Sequence, residues 1–219
     1  MSASLTLIMP AWNAEKEIER SVRSVLAQSY RDLRLIVVND GSSDGTEAIL
    51  ERLAAEDARL TPMTVPNGGP AKARNLALDA LEADTRYVMF IDADDELLPD
   101  AAQKAVDAAE RGAELVIFGF SIIGADGSRR DYCERGETLT RAALGGALGR
   151  LYKANLLNQV WGKLFSAPQI REGKLRFPDY RWGEDRFFEM NACLPGCVWN
   201  ATPRSLSPLD TNIGFWTQA

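Results

Sequence analysis

Three aspartates fall within Ile91-Asp92-Ala93-Asp94-Asp95-Glu96, directly after the apolar run Tyr87 to Ile91. Carboxylates this close repel one another unless a cation neutralises them. In extended chain, alternate residues share a face, so Asp92 and Asp94 can converge on one ion. Oxygen-only ligands favour a hard divalent cation, Mg2+ or Mn2+. Such an ion bridging a diphosphate would let an acidic protein hold a phosphorylated ligand. Taken alone, the cluster also reads as a cap for a helix beginning near Asp100.

Other segments carry related chemistry. In Val37 to Thr46 a strand passes into a helix through Asn39-Asp40-Gly41-Ser42-Ser43-Asp44-Gly45. Asp40 at the strand end can accept from a base N–H or a ribose hydroxyl, and the same residue types also build polar turns. The run lacks the lysine of a phosphate-binding P-loop. Asn67 to Asn75 joins a glycine pair, Gly68-Gly69, to a helix start, where backbone N–H groups favour anions. Lys72 and Arg74 add positive charge there. Trp182-Gly183-Glu184-Asp185 opens an amphipathic stretch. The chain has no histidine, so histidine triads and histidine metal sites are excluded, and a base activating a hydroxyl must be another side chain. Asp185 is the candidate, against a reading in which acidic residues simply favour a helix N-terminus. The aromatics of Val160 to Phe165 read as core, with a ligand platform as the alternative.

These groups need elements to position them. Apolar runs predict strands over Leu5 to Met9, Leu33 to Val38, Leu60 to Val65 (interrupted by Pro62), Tyr87 to Ile91 and Leu115 to Phe120. Helical periodicity predicts helices over Ala14 to Gln28, with Asn13 as N-cap, Thr46 to Ala55, Ala71 to Leu81 and Ala101 to Arg111. Alternation of this kind predicts a largely parallel α/β sheet with helices on both faces. Ligands on such sheets bind beyond the carboxyl ends of the strands. Trp12-Asn13, Asn39 to Asp44, Asn67 to Gly69 and Asp92 to Asp95 should then meet at one edge. After residue 120 the pattern changes: a hairpin turn at Gly124 to Gly127, charged surface over Arg129 to Glu137, a helix capped by Thr140 and running to Leu148, a basic segment at Arg171 to Arg176, a helix over Glu184 to Leu194 and a short strand near Val198. We read one domain, residues 1–219, with a ligand-binding half (1–120) and a smaller second half (121–219).

Composition narrows the class. The 219 residues carry 25 Lys and Arg against 31 Asp and Glu, a net charge of −6. That balance repels phosphate backbones and argues against a nucleic-acid partner. The three cysteines, Cys133, Cys193 and Cys197, form no dense framework. They suit a reducing compartment, with Cys193 and Cys197 packing a core rather than binding metal. No apolar run approaches the roughly 18 residues that span a bilayer, and the N-terminus lacks the basic stretch of a signal peptide. The expectation is a cytoplasmic protein.

In order and approximate spacing, Pro10-Ala11-Trp12-Asn13-Ala14-Glu15, Val37 to Thr46, Asn67 to Asn75, Phe90 to Asp95 and Gly183-Glu184-Asp185 resemble the motifs of glycosyltransferase family 2. The resemblance spans residues 5 to about 190. It implies a GT-A fold and an inverting transfer from a nucleotide-diphospho-sugar, by family habit a UDP-sugar, to a glycan or lipid-linked acceptor. It implies that Pro10, Trp12, Glu15 and Asp40 line the nucleoside pocket and that Arg74 fixes the donor near the ribose and diphosphate. Asp92-Ala93-Asp94 matches the DxD motif, with Asp94 the direct metal ligand and Asp92 beside it. Asp185 matches the catalytic base. Asn13, Gly68, Ala93, Glu184, Trp161 and Lys163 join the substrate-binding positions, the last two as a W-x-K segment of bacterial surface-polysaccharide members. Two departures stand out. Trp12 occupies a position where the family often has Tyr, and the Tyr-x-Tyr-Arg type of segment that often follows the base is not recognisable in Ser205 to Ala219. The second motivates an alternative, a non-catalytic nucleotide-sugar-binding module working through a partner chain. Peripheral membrane association at the inner face is compatible with the same reading.

Overall fold

The structure, a computed structural model, describes residues 4–201 apart from 114, 125, 134–137, 140, 180–183, 186–187, 189–191 and 193–198. Thr140, Trp182-Gly183, Cys193, Cys197 and Ser205 to Ala219 therefore lie outside the described residues.

The chain alternates as expected: β1 (Leu5–Ala11), α1 (Ile18–Leu26), β2 (Leu33–Asp40), α2 (Thr46–Glu56), β3 (Leu60–Val65), α3 (Pro70–Asp79), β4 (Tyr87–Phe90), α4 (Ala101–Ala109) and β5 (Leu115–Ile117). Then come β6 (Phe120–Ile123), β7 (Arg129–Tyr132), β8 (Thr138–Leu139), α5 (Arg141–Lys153), β9 (Lys163–Ser166), α6 (Ala167–Glu172) and β10 (Trp199–Ala201). Among the described residues the main sheet runs β3-β2-β1-β4-β9-β5-β10-β8, and β6 and β7 form a separate hairpin. Strands β1, β2 and β4 are buried almost throughout, because helices cover both faces and leave no polar side to the sheet. Pro62 is tolerated because β3 is the edge strand, where a missing N–H costs no ladder bond.

Register decides where the polar residues emerge. Strand β1 pairs in parallel with both neighbours, Leu5 against Leu33 and Tyr87, Ile8 against Ile36 and Phe90. Asn39 and Asp40 in turn pair with Thr64 and Val65. Parallel strands aligned this way deliver the residues after each one to the same edge. The predicted clusters at Trp12, Asp40, Asn67 and Asp92 are thereby neighbours.

The structure corrects several local expectations. Helix α1 begins at Ile18, not Ala14, and Asn13 does not cap it. Asn13 takes a φ of 49°, its Oδ1 accepts from Ser43 N at 2.8 Å and its N donates to Ser42 Oγ at 2.9 Å. The side chain that could cap one helix is used to tie two loops of the site edge. Leu115 to Phe120 is not one strand: it breaks at Phe118-Gly119, where a Cβ on Gly119 would lie 2.6 Å from Tyr132 O. The predicted hairpin turn joins β6 to β7, so part of the charged stretch is a strand whose Arg129, Arg130 and Asp131 face solvent. Helix α5 continues past Leu148 to Lys153, and the basic segment begins inside α6. The strand at Lys163–Ser166 runs antiparallel between β4 and β5, so a piece of the second half sits inside the first half's sheet.

An aromatic group anchors the remote residues. Phe90 packs edge-on against Phe165, Phe177 and Phe188 at 5.2–5.7 Å, and Phe177 stacks on Phe188 at 4.1 Å. Glu184, Asp185, Phe188 and Ala192 are helical, and Phe188 and Ala192 are fully buried. The Phe188 ring packs on Phe90, Phe165 and Phe177, and Glu184 and Asp185, four and three residues before it, lie at the sheet edge beside Arg74. Phe188→Ala should therefore cost about 3–5 kcal/mol of stability, measured by denaturant unfolding. A loss below about 1 kcal/mol would show that Phe188 does not carry this segment.

Candidate active site

Arg74 lies on the inward face of α3, and its side chain is 4% exposed. Its guanidinium spans three acidic residues. Nη2 donates to Asp92 Oδ1 at 2.9 Å and Nη1 to Asp185 Oδ1 at 2.8 Å, with Glu184 Oε1 at 3.7 Å. The Phe177 ring lies 5.4 Å from its central carbon, the spacing of a cation–π contact. Burial works against the charge, but the carboxylates, Asp92 foremost, hold Arg74 above its ordinary pKa. A planar fork that stays charged when buried suits this position better than a lysine. Asn75, the next residue, clamps the Phe177 backbone from both sides, donating to its O at 2.8 Å and accepting from its N at 2.9 Å.

A cavity of about 510 Å³ opens beside this group. Arg74, Asp92, Ala93 and Asp94 form its acidic side, and Pro10, Trp12, Asn13 and Asp40 face them. Trp12 is 60% exposed, an aromatic face with no core to fill. Asp40 is buried, with Oδ1 accepting from Gly68 N at 2.7 Å and Oδ2 from Gly69 N at 2.8 Å. It fixes the glycine loop that leads into α3 and hence the position of Arg74. Gly41 makes this junction possible: its φ is 68°, and a Cβ there would lie 2.6 Å from Asn67 N.

Other predicted site residues do not line the cavity. Glu15 Oε2 accepts from Gly45 N at 3.0 Å and so holds the loop before α2. Gly68 acts through its N–H on Asp40. Glu184 and Asp185 reach the cavity side through Arg74. Trp161 packs edge-on against Phe120 at 4.7 Å, and Lys163 is 1% exposed, with Nζ donating to Gln159 O at 2.5 Å. Glu17 and Pro70 do line the cavity and were not singled out from sequence. Pro70 adjoins the glycine pair already noted, whereas Glu17 carried no signal beyond its nearness to Glu15. Phe177, beneath Arg74, had no local signal at all.

At the acidic strand end, neither Asp94 nor Asp95 has a salt bridge of its own among the described residues. Arg74 serves Asp92, while Arg20 pairs with Glu96 at 2.9 Å and donates to the Asp94 carbonyl at 3.1 Å. Burial, with Asp92 adding to it, pushes the Asp94 carboxyl up. Asp95 is 1% exposed, and neither carboxylate oxygen has a hydrogen-bond partner among the described residues. Its burial, and then Asp92 and Asp94, push it up to about 9. The cavity-facing oxygen donors of Asp92 and Asp94 fit Mg2+ or Mn2+, whose charge would favour their ionised forms. Among the described residues no three His, Cys, Asp or Glu side chains converge into a closed cage. Mg2+ is commonly held by one or two carboxylates, with substrate phosphates and water completing its shell.

Asp185 is mostly buried, and burial pushes its carboxyl up while Arg74 pulls it back. Its Oδ2 accepts from Val160 N at 3.4 Å. The Asp185 carboxylate is thus held between a cation and a backbone N–H, and a carboxylate that stays ionised there could accept a proton.

Comparison with known proteins gives one family. The model of glycosyl transferase family 2 matches residues 6–165. The uncharacterized glycosyltransferase EpsJ of Bacillus subtilis is 31% identical over 86% of this chain and 55% of its own length. The teichuronic acid biosynthesis glycosyltransferase TuaG of the same organism is 32% identical over 83% of this chain and 68% of its own. Among solved structures, S. aureus TarS 1-349 in complex with UDP-GlcNAc superposes with a TM-score of 0.78 at 22% identity, covering 99% of this chain and 58% of that one. The chain thus spans a little over half the length of EpsJ and of that TarS fragment, and the likeness to TarS is one of fold.

Proposed function

The chain belongs to glycosyltransferase family 2, and on that premise we propose that it transfers a sugar, with inversion, from a nucleotide-diphospho-sugar to a hydroxyl of a cell-surface glycan or its lipid-linked precursor. The observation that carries the reading is the Arg74 fork. It joins Asp92, at the acidic strand end, to Asp185, the candidate base, beside a cavity of about 510 Å³. The donor is taken as a UDP-sugar, in keeping with the UDP-GlcNAc bound by TarS. The teichuronic acid role in TuaG's name supports the acceptor class. Among the described residues no helix is long and apolar enough to cross a membrane, and a lipid-linked acceptor would be met at the cytoplasmic face of the membrane.

The residues divide the work. Trp12 offers a ring face to the nucleobase, and Asp40 keeps the Gly68-Gly69 loop in place while facing the same cavity. Mg2+ or Mn2+ held by Asp94 and Asp92 would supply Lewis-acid neutralisation of the diphosphate. Arg74 adds a fixed positive charge on the same side. Asp185 accepts the proton of the acceptor hydroxyl as its oxygen attacks the anomeric carbon from the face opposite the diphosphate. The bond to the leaving diphosphate breaks in the same displacement. A nucleoside diphosphate departs without needing a proton, so one base suffices. Holding donor and acceptor in line supplies much of the remaining rate.

Calorimetric titration with UDP, GDP, CDP and dTDP, each with and without Mn2+, tests the donor half. UDP should bind in the presence of Mn2+ and weaken at least tenfold, roughly 1.4 kcal/mol, without it. Asp94→Asn should abolish that metal-dependent gain. Binding of none of the four would remove the donor assignment.

A further inference from the structure

Lys163 and its surroundings lie apart from the cavity, and their arrangement has a consequence for the base. The Lys163 side chain is 1% exposed and begins β9, opposite Ile117 of β5. Its Nζ donates to Gln159 O at 2.5 Å and reaches Trp161 O at 3.4 Å. The residue between those two carbonyls is Val160, itself fully buried, and Val160 N donates to Asp185 Oδ2 at 3.4 Å. The segment is closed at both ends. Gln159 Nε2 donates to Asn155 O at 2.9 Å, and Gly162, at a φ of 71°, offers its O to Phe118 N at 3.0 Å. Burying an ammonium costs several kcal/mol unless strong acceptors surround it. Among its contacts with described residues, the ammonium gathers two backbone carbonyls on either side of one peptide N–H, and that N–H points at the candidate base.

We infer that Lys163 is a positioning residue for Asp185: its ammonium folds Gln159–Trp161 into the turn whose Val160 N–H orients the Asp185 carboxylate. Arg74 holds Oδ1 of that carboxylate and Val160 holds Oδ2, so the plane of the carboxylate is set from two sides. Lys163 touches neither donor nor acceptor in this assignment. The inference rests on the reading of Asp185 as the base.

Its test is a double-mutant cycle on the full chain, with kcat measured by sugar transfer and donor binding by UDP and Mn2+ calorimetry. Lys163→Met keeps the side-chain length and removes the ammonium. It should lower kcat on the order of 10²-fold, the effect of displacing a reacting group by about 1 Å, while the UDP Kd stays within about twofold. Lys163→Arg, which keeps a buried cation, should recover part of the loss. In an Asp185→Asn background, Lys163→Met should cost nothing further, because the group it positions is already gone. An unchanged kcat in folded, UDP-binding Lys163→Met would overturn the inference. An equal fractional loss in both backgrounds would do the same, since it would mark a general packing effect. Full activity of Asp185→Asn alone would overturn the base assignment and the inference with it, and is told apart by that single variant. If Lys163→Met does not fold, Gly162→Ala strains the same turn at its positive φ and carries the same expectations; an unaltered kcat there would likewise refute the role.

Discussion

Exchange of Asp185 for Asn is expected to lower kcat by about 10²–10⁴-fold, the range a positioned general base contributes, while the UDP Kd is not weakened. Asn keeps the shape of Asp but only one acceptor oxygen, which can serve Arg74 or the Val160 N–H, not both. It cannot take the acceptor's proton. The donor side of the site, Trp12, Asp40 and Asp94, is untouched by the change. The split between turnover and donor affinity is therefore diagnostic. Loss of both together would point to collapse of the Arg74 cluster instead, and undiminished kcat would remove Asp185 from the chemistry. The pH profile adds a second check. Burial raises the Asp185 pKa above its ordinary 3.8 and Arg74 opposes that rise. The base must be ionised to work, so kcat/KM should fall as pH drops through a value above 3.8, and that acid limb should be missing from the residual activity of Asp185→Asn.

The second large effect is expected from Arg74→Met. This substitution leaves Asp92, Glu184 and Asp185 without the cation they share. Removing one partner of a buried ion cluster typically costs about 3–5 kcal/mol, because the remaining charges are left uncompensated. Activity should fall with stability, and the acid limb of the profile should move to higher pH, since the influence that pulls the Asp185 carboxyl down is gone. The sign of the stability change with pH follows from linkage. A carboxyl whose folded pKa lies above its unfolded value keeps its proton in the folded state while the unfolded chain has released it. Stability then declines as pH rises between the two values. Arg74→Met widens that interval for Asp185, so its deficit against the unsubstituted protein should be larger at pH 8 than at pH 5. Thermal unfolding in the presence of a chelator measures this directly; an equal deficit at both values would mean that Arg74 does not control Asp185. Arg74→Lys should recover only part of the loss, because an ammonium cannot bridge Asp92 and Asp185 as a planar fork does.

The elements that frame the site were readable where the signal is local. Apolar runs bounded by polar turns marked β1, β2 and β4, and the polar clusters after them were placed at one sheet edge by the rule for parallel sheets. Asp92, Asp94, Asp40 and Trp12 all face the cavity for that reason. Local rules failed where two partners compete for one group. Asn13 satisfies the preferences of an N-cap, yet the Ser42-Ser43 loop claims its side chain. Asp40 was legible as an acceptor at a strand end, but not as the acceptor for Gly68 and Gly69.

The amino-acid order alone determined the alternating frame, the acidic strand end and the exclusion of histidine chemistry. These follow from side-chain periodicity and residue type, which act over a few neighbouring positions. Tertiary structure alone decided that β9 enters between β4 and β5, and that Arg74 meets Asp92 from 18 residues away and Asp185 from 111. It also turned Lys163 inward, its Nζ donating to Gln159 O. Pairings of that kind depend on burial and charge compensation across the folded core, and no short stretch of chain encodes which distant carboxylate a buried cation will reach.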